Sequence, residues 1–215
     1  MAAKPPAAEA AIPRPPSPRM RADARRNREK LIETAAAAFA RGGVQTSLED
    51  IARRAGVGIG TLYRHFPTRE HLVEVVYRRE LDGLCTAAVE LARTLRTDEA
   101  LAEWMQRLVG YIATKRGMAD SLRILMTAHS ERFADVAGRL SQALKGLIEA
   151  AAADGTIRGD VDSTDVMQAL SGIYSAPDTP DWQDRSRRLV SLLMDGLRSG
   201  APKGAVRSGG SSPEE

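Results

Sequence analysis

The feature that most constrains this chain is the stretch TSLEDIARRAGVGIGTLYRHFPTREHL at residues 46–72. Its first part predicts a short helix that follows Ser47, a good N-cap, and that carries acidic side chains in its first turn. One face of this helix has the three-to-four spacing of a buried side: Leu48, Ile51, Ala52 and Ala55. The sequence GVG at 56–58 ends the helix, because a glycine tolerates the positive φ that a sharp turn needs.

A second short helix is predicted over residues 59–66, with Leu62 and Phe66 pointing inward. Pro67 ends it, since the residue before a proline is pushed out of the α region. Thr68 then caps the next helix. The arrangement predicts a helix-turn-helix motif, whose second helix lies in the major groove of DNA.

A set of positions between about residues 25 and 75 is shared with one known family. They are Leu31, Ala35, Phe39, Gly43, Thr46, Leu48, Ile51, Ala52, Ala55, Gly56, Val57, the run GTLYRHF at 60–66, and residues 69–72. On these residues the chain closely resembles the DNA-binding domain of the TetR family of bacterial transcription regulators. The later part resembles the actinobacterial subgroup with SbtR-like C-terminal domains in its length, helix order and Trp/Leu-rich last helix.

The residue types on the second helix predict how it contacts DNA. Thr61 and Tyr63 offer hydroxyls to phosphates, and Arg64 can donate two hydrogen bonds to guanine. Ile59 can touch a thymine methyl, and Gly60 lets the backbone approach closely. The alternative for Tyr63 is a core aromatic whose hydroxyl reaches water. The expected DNA contacts are Ser47, Ile59, Gly60, Thr61, Tyr63, Arg64, His65 and Arg69.

The family resemblance adds roles for four of these positions. It implies that Thr61, Tyr63 and His65 contact the DNA backbone or bases, and that Arg69 takes the place of a basic phosphate contact. Gly58 stands where many relatives have a serine, so one phosphate contact is expected to be missing.

The distribution of charge agrees with a phosphate-binding face. The net charge of the chain is +3, yet residues 19–79 hold 13 Lys/Arg against 7 Asp/Glu. A basic excess over the motif is what contact with phosphates requires, although any Arg-rich solvated face has this composition. The basic run at 19–30 is expected to be an arm that reaches the minor groove or the phosphates, or else a disordered lead-in.

The remainder of the chain predicts an all-α fold, with a C-terminal helical domain for effector binding and dimerisation. Alanine and leucine dominate and aromatic residues make up 4% of the chain, which favours helices over sheets. The expected helices lie at about 22–41, 69–95, from 98, around 118–126, at 130–153, from 163, and at 181–198. The expected domains are a disordered arm at 1–18, the DNA-binding domain at 19–67, the helical domain at 68–199, and a disordered tail at 200–215.

Several function classes are disfavoured. No run of 18 apolar residues predicts a membrane span, and no apolar leader predicts secretion. The single cysteine, Cys85, fits a reducing cytoplasm and a place in the core. The three histidines have no metal-ligand spacing, and the loop DGTIRGDVD at 154–162 resembles a helix cap and turn more than a calcium loop. No catalytic constellation or nucleotide-binding motif is found, so neither an enzyme nor a cofactor is expected.

The middle helices carry the candidate effector pocket, formed by Trp104, Leu108, Tyr111, Met118, Leu122 and Met126. The expected effector is a mainly apolar, uncharged or weakly charged molecule, with Trp104, Tyr111 and either Arg107 or His129 as polar contacts. It would act by shifting the helix that starts at Arg69. A bundle core has the same composition, so these residues are equally compatible with packing alone.

The last two helices are expected to form the dimer interface, by resemblance and by pattern, as a four-helix bundle with a second copy. The candidate residues are Val166, Leu170, Ile173, Trp182, Leu189 and Leu193. The alternative is that these stripes pack only within their own chain. The sequence therefore predicts a homodimeric repressor, released from a palindromic operator by a small molecule. Two alternatives are an architectural DNA binder without a pocket and an all-helical enzyme.

Overall fold

The computed structural model describes residues 18–42, 46–128, 133, 135–175, 177 and 179–199. Over these residues the regular structure is entirely helical, which confirms the predicted all-α fold. The helices are α1 (Pro18–Gly42), α2 (Leu48–Ala55), α3 (Ile59–His65), α4 (Arg69–Thr94), α5 (Thr97–Gly117), α6 (Ala119–Ala128), α7 (Val136–Ala153), α8 (Ser163–Tyr174) and α9 (Trp182–Arg198). None of these helices is both long and apolar enough to cross a membrane.

The helix-turn-helix is specified by its local sequence. The Ser47 hydroxyl accepts a hydrogen bond from the Asp50 backbone N–H at 3.1 Å, which caps α2. Gly56 adopts φ 70° and ψ 31°, the left-handed conformation that ends α2, whereas Gly58 is extended. Thr68 caps α4 by accepting from the His71 backbone N–H at 3.1 Å. The predicted caps and the predicted turn are therefore confirmed.

The N-terminal basic run is helical, which corrects the expectation of an arm. α1 begins at Pro18, four residues before the predicted start at Ala22. Proline is favoured at the first position of a helix, because the N–H it lacks has no partner there in any case. The charges at 19–30 therefore lie on the first turns of α1. The predicted disordered segments at 1–18 and 200–215 lie, Pro18 excepted, outside the described residues.

The other helix boundaries follow the sequence closely. α5, α8 and α9 begin within one residue of their predicted starts. The predicted start of α7 at residue 130 lies outside the described residues. The loop after α7 is a cap and a turn, as expected: Gly155 has φ 69°, and Asp162 accepts from the Thr164 backbone N–H at 2.6 Å to start α8.

The DNA-binding helices are packed directly on the C-terminal helices. The predicted boundary at 67/68 falls between α3 and α4, but α1 also packs along α5. A Cβ atom placed on Gly117, the last residue of α5, would lie 2.0 Å from the backbone oxygen of Phe39 in α1. Nearby, the Gln183 amide at the start of α9 donates to the carbonyl of Ala40 at 3.2 Å. The two halves of the chain therefore meet at a backbone-to-backbone contact as well as through α4.

A buried carboxylate holds the opposite end of the C-terminal half together. Asp98, in the first turn of α5, has a side chain only 4% exposed and accepts from Arg198 Nε of α9 at 2.8 Å. Arg96 lies 3.2 Å from its other oxygen. Burial raises the pKa of Asp98, but the hydrogen bond from Arg198 and the charges of both arginines outweigh it and hold the pKa below its ordinary value.

The Asp98→Asn variant tests this ion-pair network. The free energy of unfolding at neutral pH should fall by about 1.5 kcal/mol, the contribution of a hydrogen bond to a charged group. Because the pKa of Asp98 is depressed in the folded state, its stabilisation is present above the unfolded pKa and is lost as the pH falls through the folded pKa. Urea unfolding between about pH 7 and about pH 2 should therefore show the difference between wild type and variant shrinking at the acid end.

The matched control is Asp195→Asn. Asp195 lies 4.0 Å from the same arginine, Arg198, but its side chain is 72% exposed. This variant should change stability by less than about 0.5 kcal/mol. Equal losses in the two variants would show that the burial of Asp98 contributes nothing.

Candidate DNA-binding face and ligand cavity

The recognition helix α3 presents a polar outer face. Leu62 is fully buried beneath it, together with Phe66, which follows the helix. On the other side Ile59 is 38% and Tyr63 is 45% exposed. Gly60 and Arg64 are exposed, and Thr61 and His65 are half-buried. The exposure of Tyr63 removes the alternative of a core aromatic, and a major groove admits an α-helix of this kind.

Positive charge adjoins one end of this surface. Arg28 of α1 holds its guanidinium carbon 5.3 Å from the centroid of the Phe66 ring, so the basic part of α1 adjoins the end of α3. Burial lowers the pKa of His65, and the charges of Arg28 and Arg64 lower it further. The shift favours the neutral imidazole, which has one N–H to donate and one nitrogen to accept.

Two predicted contacts have structural partners within the protein. Arg69 Nη1 donates to the carbonyl of Thr46 at 2.6 Å, and its guanidinium lies 5.3 Å from the Phe39 ring centroid. It thus ties the start of α4 to the segment before α2. Ser47 is occupied as the α2 cap but can still donate its hydroxyl proton outward. Gly58 is the N-cap residue of α3 and, having no side chain, gives that helix no side-chain cap.

The predicted pocket residues are not brought together. Trp104, Leu108 and Met118 are at most 3% exposed in the packed core. The indole N–H of Trp104 donates to the carbonyl of Leu84 at 2.9 Å, so it is not available to a ligand. Tyr111 lines a cleft of about 830 Å³ between α4 and α5, where burial of its hydroxyl, and then its neighbour Tyr77, raise its pKa.

The other two predicted pocket residues share a different cavity. Leu122 and Met126 line a space of about 700 Å³ between α5, α6 and α8. Its described lining is completed by Ile112, Lys115, Arg116, Ala119, Arg123, Thr127, Ser171, Tyr174 and Ser175. Of the polar contacts suggested by the sequence, Arg107 lines the cleft with Tyr111, and His129 lies outside the described residues.

The sequence analysis missed the three cations of this cavity. Lys115 and Arg116 end α5, where basic residues are common because they complement the helix dipole, so their position carried no particular signal. Arg116 donates to the carbonyl of Tyr174, at the end of α8, and its guanidinium carbon stacks 4.1 Å from the centroid of the Trp182 ring. Lys115 is half-buried, and burial lowers the pKa of its ammonium group.

The predicted dimer residues divide into two groups. Val166, Leu170 and Trp182 are at most 6% exposed and pack within their own chain. Ile173 and Leu193 are half-buried, and Leu189 is 37% exposed. These three line a groove of about 560 Å³ between α8 and α9. Leu192, 67% exposed on the same groove, is its most accessible large apolar side chain.

Comparison with known proteins finds a family match for each half of the chain. Residues 31–76 match the bacterial regulatory proteins of the tetR family, and residues 96–199 match the C-terminal domain of SbtR-like transcriptional regulators. A TetR transcriptional regulator from Streptomyces coelicolor is 43% identical, with a TM-score of 0.70 over 80% of this chain and 98% of that one. A TetR regulator from Mycobacterium vanbaalenii is 34% identical, with a TM-score of 0.64 over 83% and 99% of the two chains.

The match to curated relatives is shorter. An HTH-type transcriptional regulator from Staphylococcus aureus strain USA300 is 44% identical over 68 residues, which is 31% of this chain. The match spans only 37% of the length of that relative. The likeness along the whole chain therefore rests on the solved structures and on the match of the C-terminal half.

Arg64→Ala tests the role of the exposed arginine on α3. If Arg64 contacts a base, DNA affinity should fall by about 1–3 kcal/mol and preference at one base pair should relax. Fluorescence anisotropy with a bound duplex and its single-base variants measures both effects. Arg93→Ala, about 36 Å along α4 from Arg69, is the control and should leave binding unchanged. An equal loss on every duplex would show that Arg64 touches only phosphate.

Leu192→Glu tests the groove between α8 and α9 as a dimer interface. A glutamate there would be buried without a partner in each copy, so self-association should weaken by about 100-fold or more. Sedimentation velocity over a concentration series gives the dissociation constant. The control is Val89→Glu, a change at an apolar residue of α4 that is 53% exposed and lies off the groove. A Leu192→Glu protein that dimerises as the wild type does would contradict the assignment.

Proposed function

The chain belongs to the TetR family of bacterial transcriptional regulators, and from that premise we propose that it acts as a homodimeric repressor. The dimer binds a palindromic operator on the bacterial chromosome, in the cytoplasm, and a small molecule releases it. The observation that carries the proposal is the outer face of α3, where six polar, small or exposed residues stand over a buried Leu62–Phe66 layer. Such a face has no use in packing and fits a major groove.

The groove between α8 and α9 supports the dimeric form. It exposes Leu189 and Leu192 beside the half-buried Ile173 and Leu193. A second copy related by a two-fold axis would cover the same groove on both chains, since an isologous contact uses one patch twice. Two recognition helices related by that axis favour an operator with inverted half-sites.

The cavity supports control by a small molecule rather than a purely architectural role. A space of about 700 Å³ lies within the usual range for ligand sites, and an architectural protein has no need of one. To shift the protein from bound to released, the ligand must prefer the released state. A hundredfold preference corresponds to about 2.7 kcal/mol of coupling.

The position of the cavity favours a route to DNA through α5 instead of the expected route through α4. The cavity lining comes from α5, α6 and α8, together with residues adjoining those helices, and no described residue of α4 takes part. Lys115 and Arg116 are adjacent in sequence to Gly117, the residue in backbone contact with Phe39 of α1. A ligand that moves the end of α5 therefore acts directly on the helix that supports the recognition motif.

Selection of bound fragments from random duplex DNA tests the proposed operator binding. The expected product is an inverted repeat bound by two chains, with an affinity that falls steeply as salt rises, because several phosphate contacts release counterions. Recovery of a single unrepeated motif bound by one chain, or of no enriched motif, would contradict the proposal.

Gly117→Ala tests the route through α5. The added methyl group would meet the Phe39 carbonyl at about the 2.0 Å given by the backbone, so α5 and α1 must separate. The free energy of unfolding should fall by about 1–3 kcal/mol, as overpacking generally costs. Operator affinity should change with it, because the displaced helix positions α3. Thermal unfolding and anisotropy titration give the two values.

The control is Gly110→Ala on the same helix. A Cβ atom at Gly110 meets nothing within 4 Å, so this change should leave operator affinity unaltered and stabilise α5 slightly. If a folded Gly117→Ala protein bound DNA as the wild type does, the contact between Gly117 and Phe39 would have no role in the control of DNA binding.

A further inference from the structure

The cavity between α5, α6 and α8 has an unbalanced charge. Its apolar part comes from Ile112, Leu122 and Met126, with Ala119 between the cations. Its charged part consists of Lys115, Arg116 and Arg123. No aspartate or glutamate is found among the described residues that line it. The described lining therefore combines apolar walls with only positive charge, whereas the sequence predicted a mainly apolar pocket with few polar contacts.

Lys115 is the most informative of these cations. It is half-buried, and no described residue gives its ammonium group an ion pair or a hydrogen bond. Some other basic side chains of the C-terminal half do have such partners: Arg107 pairs with Glu103 at 2.9 Å, and Lys145 lies 3.7 Å from Glu149. Burial of an ammonium without a counter-charge is unfavourable, and the lowered pKa of Lys115 reflects that cost.

The hydroxyl groups around the cavity donate their protons to the protein backbone and not into the cavity. Thr127 donates to the carbonyl of Arg123 at 2.9 Å, and Ser171 donates to the carbonyl of Met167 at 2.9 Å. Ser175 donates to the carbonyl of Ser171 at 2.7 Å. Their protons are directed into the backbone, so the strong donors that remain toward the cavity are cationic. Cationic donors select a negatively charged group, with which they form short, strong hydrogen bonds.

We propose that the effector is an amphipathic carboxylate, whose acidic head pairs with Lys115 and Arg123 and whose apolar body lies against Ile112, Leu122 and Met126. This inference rests on the proposed function, because it names the chemical class of the molecule that would release the operator. It differs from the sequence-based expectation of an uncharged or weakly charged effector. The apolar walls account for the body, and the ammonium of Lys115, which has no partner among the described residues, accounts for the head.

The direct test is binding to the full chain without DNA. Isothermal titration calorimetry with decanoate and with decan-1-ol compares two ligands that share a ten-carbon chain and differ in charge; 4-phenylbutanoate provides an acid of another shape. A carboxylate should bind at one site per chain, at least about tenfold more tightly than the alcohol, since a charge-assisted hydrogen bond is replaced by a neutral one. Failure of both acids to saturate at millimolar concentration, or equal affinity for acid and alcohol, would overturn the proposal.

Variants separate the head-group contact from general binding. Lys115→Gln should weaken acid binding by about tenfold and leave the alcohol unaffected, while Lys115→Arg should restore most of the acid affinity. Arg93→Gln, which removes a cation away from this cavity, should change neither. The ligand-free Lys115→Gln protein should melt at the same temperature as the wild type or higher, because a buried charge without a partner has been removed. Unchanged acid affinity in this variant would exclude Lys115 as the head-group contact.

Operator affinity measured with the same ligands separates this proposal from the one it rests on. Acid binding that depends on Lys115 but leaves operator affinity unchanged would support the carboxylate site and refute ligand-controlled release. Equal release by the alcohol and the acid would support release and refute the carboxylate site.

Discussion

The relative position of the two halves of the chain depends on the point where the end of α5 contacts α1 without an intervening side chain. Gly117 lies so close to Phe39 that a Cβ atom would be 2.0 Å from its backbone oxygen. Such a contact is possible only with glycine, and it leaves almost no free space between the two helices at this point. Gln183 reinforces it by donating to the next carbonyl, that of Ala40. The DNA-binding half is therefore fixed to the C-terminal half by backbone geometry, and a change at the end of α5 cannot be absorbed by side-chain rearrangement there.

The position of the recognition helix follows from that of α1. Arg28 stacks on Phe66 at the end of α3, and Arg69 at the start of α4 contacts the ring of Phe39 while donating to Thr46. Phe39 is thus in contact with α5 through its backbone and with the start of α4 through its ring. The family resemblance assigns Arg69 to a phosphate contact. In this chain Arg69 also holds the helix-turn-helix against α1. Its loss would disturb DNA binding through position as well as through charge.

The parts that could be predicted from the sequence are those governed by near neighbours. The Ser47 cap, the left-handed Gly56 and the stop at Pro67 depend on a few adjacent residues, and they were predicted correctly. The cavity could not be predicted, because whether Trp104 or Leu122 lines a space depends on helices far apart in sequence. The same limit applies to the dimer stripes. Trp182 has the spacing of an interface residue, yet Arg116 and its own chain cover it.

The location of the cations beside the junction has a consequence for control. Lys115 and Arg116 immediately precede Gly117, and Arg116 also holds the carbonyl of Tyr174 at the end of α8. A negative group bound at Lys115 would pull on the last turn of α5, where the backbone contact with α1 leaves little room for displacement. The charge of the effector would therefore supply the differential affinity between the two states that release requires.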